Sequence, residues 1–166
     1  MPIGTKTDER LLSALRIKVS KMSPQEKICS VCVDCMSLKS NLHYDSSNDR
    51  IVGFHEINGI QTPEAAKHVI VIMIRGILHK WKQPVAHSFL AQCKNYTEVN
   101  TWIDEIISAL LDIGLDVRVF VTDQGSDFVS ASKSRSINTN KTYFEVKGHK
   151  IYYVFDVIDQ IGRAHV

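Results

Sequence analysis

Asp34 and Asp123 each close an apolar run. Asp34 ends Ile28-Cys29-Ser30-Val31-Cys32-Val33, and Asp123 ends Val117-Arg118-Val119-Phe120-Val121-Thr122 ahead of Gln124-Gly125-Ser126. Both runs have the length and β-branched content of buried strands. A strand delivers its last side chain to the sheet edge with little positional slack. Two such strands side by side would set the two carboxylates against each other, where like charges repel unless a proton or a cation intervenes. A divalent metal is the usual solution, so the pair points to metal-dependent chemistry, with Asp34 and Asp123 as catalytic and metal-ligating candidates. The plainer alternative is that both residues only end strands and start turns, where aspartate is common.

Other chemistry-bearing residues are weaker candidates. Cys29, Cys32 and Cys35 have the spacing of a metal knuckle, but interleaved valines favour an extended strand. Residues three apart on a strand face opposite ways and cannot share one zinc, so these read as small buried thiols. Cys93 has no neighbour of its kind. His43, His55, His68, His79, His87 and His149 are scattered, with no paired helical spacing. Asp156 also follows a strand and is a minor candidate for the site. Lys80-Trp81-Lys82 could touch DNA, though a solvated turn anchored by Trp81 is the better account. The glycines form no phosphate-cradling loop.

The elements that must position these groups follow from periodicity. Leu11, Leu12, Leu15 and Val19 place an amphipathic helix over Thr7 to Met22. Ser23-Pro24-Gln25-Glu26 has the pattern of a capping box. Ile28 to Met36 reads as the first strand, Leu42 to Phe54 as a hairpin turning at 45–49, and Glu56 to Pro63 as loop. Ala66 to Leu78, centred on Val69 to Ile74, reads as a strand buried on both faces, and Val85 to Ala91 as another strand. Val99, Trp102, Ile103, Ile106, Leu110 and Ile113 line one face of a helix over Asn95 to Leu115, capped by Asn95 or Thr97 and stopped by Gly114. Val117 to Thr122 is the next strand, Ser126 to Lys133 a short helix, and Tyr143–Val146 with Lys150–Phe155 a hairpin. Antiparallel-capable strands followed by a helix and a strand parallel to the first give the order of a ribonuclease-H-like α/β mixed sheet. In that sheet the first and fourth strands are neighbours, which sets Asp34 beside Asp123.

The bulk properties agree with one globular domain: 166 residues, 44% hydrophobic, 23% charged, net charge +2. That charge is too small to argue nucleic-acid binding without a local patch. No apolar run has membrane-spanning length and no secretory pattern follows Met1.

Cys32-Val33-Asp34-Cys35-Met36-Ser37-Leu38-Lys39, Ile51-Val52-Gly53-Phe54, Gly76-Ile77-Leu78-His79-Lys80-Trp81-Lys82-Gln83-Pro84-Val85, Thr122-Asp123-Gln124-Gly125-Ser126 and Lys150-Ile151-Tyr152-Tyr153-Val154-Phe155-Asp156 occur in this order. In this the chain resembles the P-element-like transposases, the group that includes the THAP-domain-containing transposases of animals. The resemblance implies a nuclear DNA recombinase whose acidic triad holds two magnesium ions. Asp34 would be its first acid and Asp123 its second, and transposon-end DNA its partner, with the full-length protein a homo-oligomer. The third acid, the zinc-dependent THAP domain, the coiled coil and the inserted GTP-binding domain of that family have no counterpart in this chain. The chain departs from the family's pattern at Cys35, where glutamate is commoner, and at Asp127, where asparagine is.

These readings divide the chain into a tail and amphipathic helix over 1–22, a partial ribonuclease-H-like core over 23–157, and a non-native tail over 158–166. The last rests on Gln160 to Val166, which matches one frame of a sequencing adapter. Such a fragment, holding two acids of three, is expected to be inactive alone. The rival reading is a domesticated, non-catalytic descendant that keeps the fold to bind DNA or a protein. A third is a generic α/β domain whose two aspartates lie far apart.

Overall fold

The computed structural model describes residues 9–92 and 96–156. The tail over 158–166, Asn95 as a helix cap and Cys93 therefore lie outside the described residues. The chain opens with helix α1 (Glu9–Ser20), then strand β1 (Ile28–Ser37). A small hairpin of β2 (His43–Asp45) and β3 (Arg50–Val52) follows, then β4 (Phe54–Ile57), β5 (Ile60–Ala65), β6 (His68–Gly76) and β7 (Lys82–Leu90). Helix α2 (Tyr96–Asp112), β8 (Asp116–Thr122), α3 (Ser126–Ser134), β9 (Tyr143–Val146) and β10 (His149–Phe155) complete it. The main sheet has the order β5-β4-β7-β6-β1-β8-β10-β9, while β2 and β3 pair only with each other.

The strand neighbours match the order anticipated from sequence. β1 pairs antiparallel with β6 and parallel with β8, and β8 pairs parallel with β10. β1 thus lies in the middle of the sheet, where both edges are satisfied and a β-branched run is stable. Gly114 ends α2 at φ +93°, with Leu115 N–H donating to Leu110 O and Gly114 N–H to Leu111 O. That left-handed stop turns the chain directly into β8. Ser23 and Glu26 make the reciprocal capping contacts: Ser23 N–H donates to Glu26 Oε2 at 2.8 Å and Glu26 N–H to Ser23 Oγ at 3.4 Å. They close one turn, not a helix.

Two sequence readings are corrected. The stretch 56–63 is not loop: β4 and β5 form a hairpin about Asn58 (φ +51°) and Gly59 (φ +77°). Asn-Gly is the strongest signal for such a turn, and Pro63 is tolerated because β5 is the sheet's outer strand. The second correction concerns β6, which is not buried on both faces. Ile70, Ile72 and Ile74 are buried, whereas on the other face Val69 is buried, Val71 and Met73 are only partly covered and Arg75 is exposed.

The helices all pack on one face of the main sheet. Leu11, Leu15 and Val19 of α1, Trp102, Ile106 and Leu110 of α2, and Phe128 of α3 share one core with Val31, Val33, Ile72, Phe120 and Ile151. The opposite face carries no helix among the described residues. Cys29 and Cys32 follow this division: Cys29 is buried in the core and Cys32 is half-buried on the open face, and both thiols are free. Burial, with smaller contributions from Asp116 and Cys32, pushes the Cys29 thiol from 9.0 up to about 12. The unfolded chain releases this proton near 9.0 and the folded chain holds it to about 12. Stability is therefore unaffected below pH 9 and falls as pH rises between those values. Cys29→Ala is expected to flatten that alkaline loss in urea midpoints compared at about pH 8 and about pH 10.5; an unchanged slope would sink the assignment.

Candidate metal centre

Asp34 and Asp123 emerge from neighbouring parallel strands in step. Val33 of β1 pairs with Thr122 of β8, and each aspartate is the next residue. Side chains alternate, so with Val33 and Thr122 buried in the core, both aspartates fall on the open face. The interstrand spacing is about 4.8 Å. β10 extends the row: Phe155 pairs with Thr122, and Asp156 N–H donates to Thr122 O at 2.7 Å. A third aspartate thus stands one strand beyond Asp123 on the same face. On the other side Asp34 pairs with Val71, and Val71 with His87. The row across the open face reads His87, Val71, Asp34, Asp123, Asp156.

The carboxylates line a cleft of about 370 Å³, together with Cys32, Met36, Met73 and Arg75. Asp34 and Asp156 are exposed and Asp123 is half-buried. Asp123 is the better held. Gly125 N–H donates to its Oδ1 at 2.9 Å, an Asx turn that leads into α3. A Cβ on Gly125 would sit 2.9 Å from that same oxygen, so a side chain there would press the Asp123 carboxylate aside. Thr122 Oγ1 donates to Asp123 O at 3.1 Å and also meets the buried Tyr153 hydroxyl at 3.1 Å. The Tyr153 oxygen also lies 3.4 Å from Phe128 O. Burial raises its pKa, so the phenol stays a neutral strut between β10, β8 and α3.

His87 is a member of this row that periodicity alone does not single out. Burial holds its imidazole below the ordinary value, and Glu56 partly offsets this. Only the register of β7 against β6 reveals its place, and Val85 forms a bulge there that no spacing rule announces. The three cysteines, by contrast, divide between the two faces. The generic-domain reading, which required the two aspartates far apart, is set aside by the pairing of β1 with β8.

The donors suit a hard cation. Magnesium takes one or two carboxylates and completes its shell with water and substrate phosphates, and the open cleft leaves room for both. No group of three histidine, cysteine or acidic side chains among the described residues is gathered tightly enough to hold an ion unaided.

A five-stranded core in the order β7-β6-β1-β8-β10, with the parallel trio carrying aspartates at its C-terminal edge, defines a ribonuclease-H-like domain. A family model described as "TNP-like, RNase H N-terminal domain" matches residues 4–135, and the chain belongs to that family. It is 24% identical over 136 residues to the human protein "DNA transposase THAP9", a match that takes in 79% of this chain and 15% of that one. A solved structure, "Drosophila P element transposase strand transfer complex", superposes with a TM-score of 0.69 at 23% identity, over 94% of this chain and 36% of that one. The chain therefore spans a minor part of both relatives.

Proposed function

We propose that this domain is the first part of the catalytic core of a DNA transposase, a metal-dependent enzyme that cuts phosphodiesters and joins strands. The observation that carries the reading is the in-step exit of Asp34 and Asp123 from adjacent parallel strands onto one open face. Asp34 and Asp123 would hold magnesium, two ions in the intact parent once a third acid from outside this chain is in place. When bound, such ions activate the attacking oxygen and stabilise the leaving one. The chain's own residues do the positioning. The Gly125 amide holds one oxygen of Asp123, a residue that lines the cleft. Tyr153 and Thr122 keep the corner from sliding along β10. The parent's partner would be transposon-end DNA, bound by a homo-oligomer in the nucleus.

Magnesium or manganese at millimolar concentration is expected to raise the melting temperature of the chain, because ligand held only by the folded state stabilises it by mass action. Asp34→Asn and Asp123→Asn are each expected to abolish that rise while leaving the metal-free melting temperature within about 2 °C, as suits carboxylates with exposed or half-exposed surroundings. The chain alone is expected to show no magnesium-dependent strand cleavage. A metal response that survives both substitutions would overturn the site, and cleavage by the isolated chain would overturn its dependence on a third acid.

A further inference from the structure

The acidic cleft also carries sulfur. Cys32, Asp34 and Met36 alternate along β1 onto the open face, and Met73 of β6 is the direct strand partner of Cys32. All four line the cleft. Residues directly opposite on antiparallel strands have Cβ atoms about 4.5–5.5 Å apart. Two sulfurs that share one ion stand about 4.6 Å apart at metal–sulfur bonds of about 2.3 Å. Cys32 and Met73 can therefore meet one ion without movement of the backbone. Met73 is only partly covered, and its three rotatable side-chain bonds let the thioether swing over the thiol. Cys32 is a free, half-buried thiol with Ser30 Oγ 3.8 Å from its sulfur. Ser30 donates its own hydrogen to Arg75 O at 3.3 Å, so that hydrogen is not spent on the sulfur. Cys35 is placed differently: it lines a small apolar pocket with Val99, Phe128 and Ala131, on the helix side of the sheet.

We propose that Cys32 and Met73 form a binding site for a soft monovalent cation of the copper(I) class. A thiolate with a thioether selects soft ions, whereas carboxylates and water select magnesium. Two donors facing each other across a strand pair suit an ion that accepts two-coordinate geometry. The thiol binds as thiolate, and its proton passes to the solvent. The ion then clasps β1 to β6 about 7 Å along β1 from Asp34, two residues away. The cleft thus offers donors of two kinds, hard at Asp34 and Asp123 and soft at Cys32 and Met73. The soft site uses neither aspartate, so it stands or falls separately from the magnesium site.

The test is nuclear magnetic resonance of the whole chain with carbon-13 in its methionine methyls, titrated with silver(I), the redox-stable member of the same class. Met73→Leu assigns the Met73 signal, and Met22, packed on the helix side, is the internal control. The Met73 methyl is expected to shift while Met22 stays still. The titration runs to four equivalents, one for each cysteine of the chain, so that silver held by the other thiols cannot hide the site. Cys32→Ser is expected to abolish the Met73 shift, whereas Cys35→Ser is expected to leave it in place. Peptide-resolved alkylation gives the reciprocal readout: silver is expected to protect Cys32 from iodoacetamide, and Met73→Leu to weaken that protection about tenfold. Circular dichroism confirms that each variant is folded. A Met73 signal unmoved through four equivalents would overturn the proposal. So would a shift that survives Cys32→Ser, or one that Met22 shares in full, since the fold and not the site would then be responding. Magnesium is absent throughout, so failure of the acidic site in its own thermal test leaves these readouts unaffected.

Discussion

Arg135→Ala is expected to lower the unfolding free energy by about 3 kcal/mol, which corresponds to a fall of roughly 6–12 °C in melting temperature for a chain of this size. Its guanidinium is the most heavily engaged cation among the described residues. Nε donates to Asn100 Oδ1 at 3.0 Å, Nη2 to Asn100 O at 3.0 Å, and Nη1 to Asp104 Oδ2 at 3.1 Å. Nη2 also lies 2.7 Å from Asp104 Oδ1, without a hydrogen-bonding angle, so that contact is an ion pair only. The guanidinium carbon also lies over the Phe144 ring, 4.3 Å from its centroid. One side chain therefore ties the end of α3 to α2 and to β9. The Arg135 side chain is 8% exposed and that of Asp104 39%, so the cost falls at the lower end of what breaking a buried pair brings. Lysine should not rescue, because an ammonium cannot fork between Asn100 and Asp104 and also lie flat on a ring. Asp104→Asn should cost less than half as much, since the Asn100 and Phe144 contacts remain. Chemical denaturation checks both; equal losses for the two variants would assign the effect to the ion pair alone.

Gly76→Ala is expected to cost about 3 kcal/mol, although Gly76 lies at a strand end far from the aspartates. An added Cβ would overlap His79 O and lie 2.5 Å from Trp81 Nε1 and 2.8 Å from Trp81 Cδ1. The indole cannot retreat freely, because Nε1 donates to Glu26 O at 2.9 Å and Gly76 N–H donates to Trp81 O at 2.9 Å. Forcing it out combines overpacking of about 1–3 kcal/mol with the loss of a part-buried hydrogen bond of about 1 kcal/mol. Trp81→Phe is the informative companion. It removes the bond to Glu26 but relieves part of the crowding, so the double variant should be less damaged than the sum of the singles. Urea midpoints measure all three. Wild-type stability of Gly76→Ala would show that the Trp81 turn moves aside at no cost.

These two expectations also mark what is legible in the chain. Strands β1 and β8, helix α2 with its Gly114 stop, and the co-facing of Asp34 and Asp123 are readable, because each depends on a local pattern and a simple topology. Trp81 is readable as an anchor, but its mate at Glu26 is not, since that bond joins residues 55 positions apart. The β4–β5 hairpin escapes a reading of the sequence even though Asn58-Gly59 announces it, because Pro63 and the polar residues around it disguise an edge strand. β6 misleads because apolar residues fill both of its faces, and the composition cannot show that helices cover only one. The contacts of Arg135 and the pairing of Cys32 with Met73 are invisible for a common reason: they come from helix packing and strand register, which no spacing rule encodes.

The irregularity in the pairing of β1 with β8 has an evolutionary corollary. Cys29 faces Val117, but Ser30 faces Val119, so Arg118 is one residue more than the partner strand needs. A lineage could lose Arg118 and keep every later pairing intact, whereas losing one residue from Val119 to Thr122 would either turn Asp123 inward or draw out the bulge and carry the residues before the gap to the wrong face. Length variation in this strand should thus be permitted at a single position and forbidden at the four that follow.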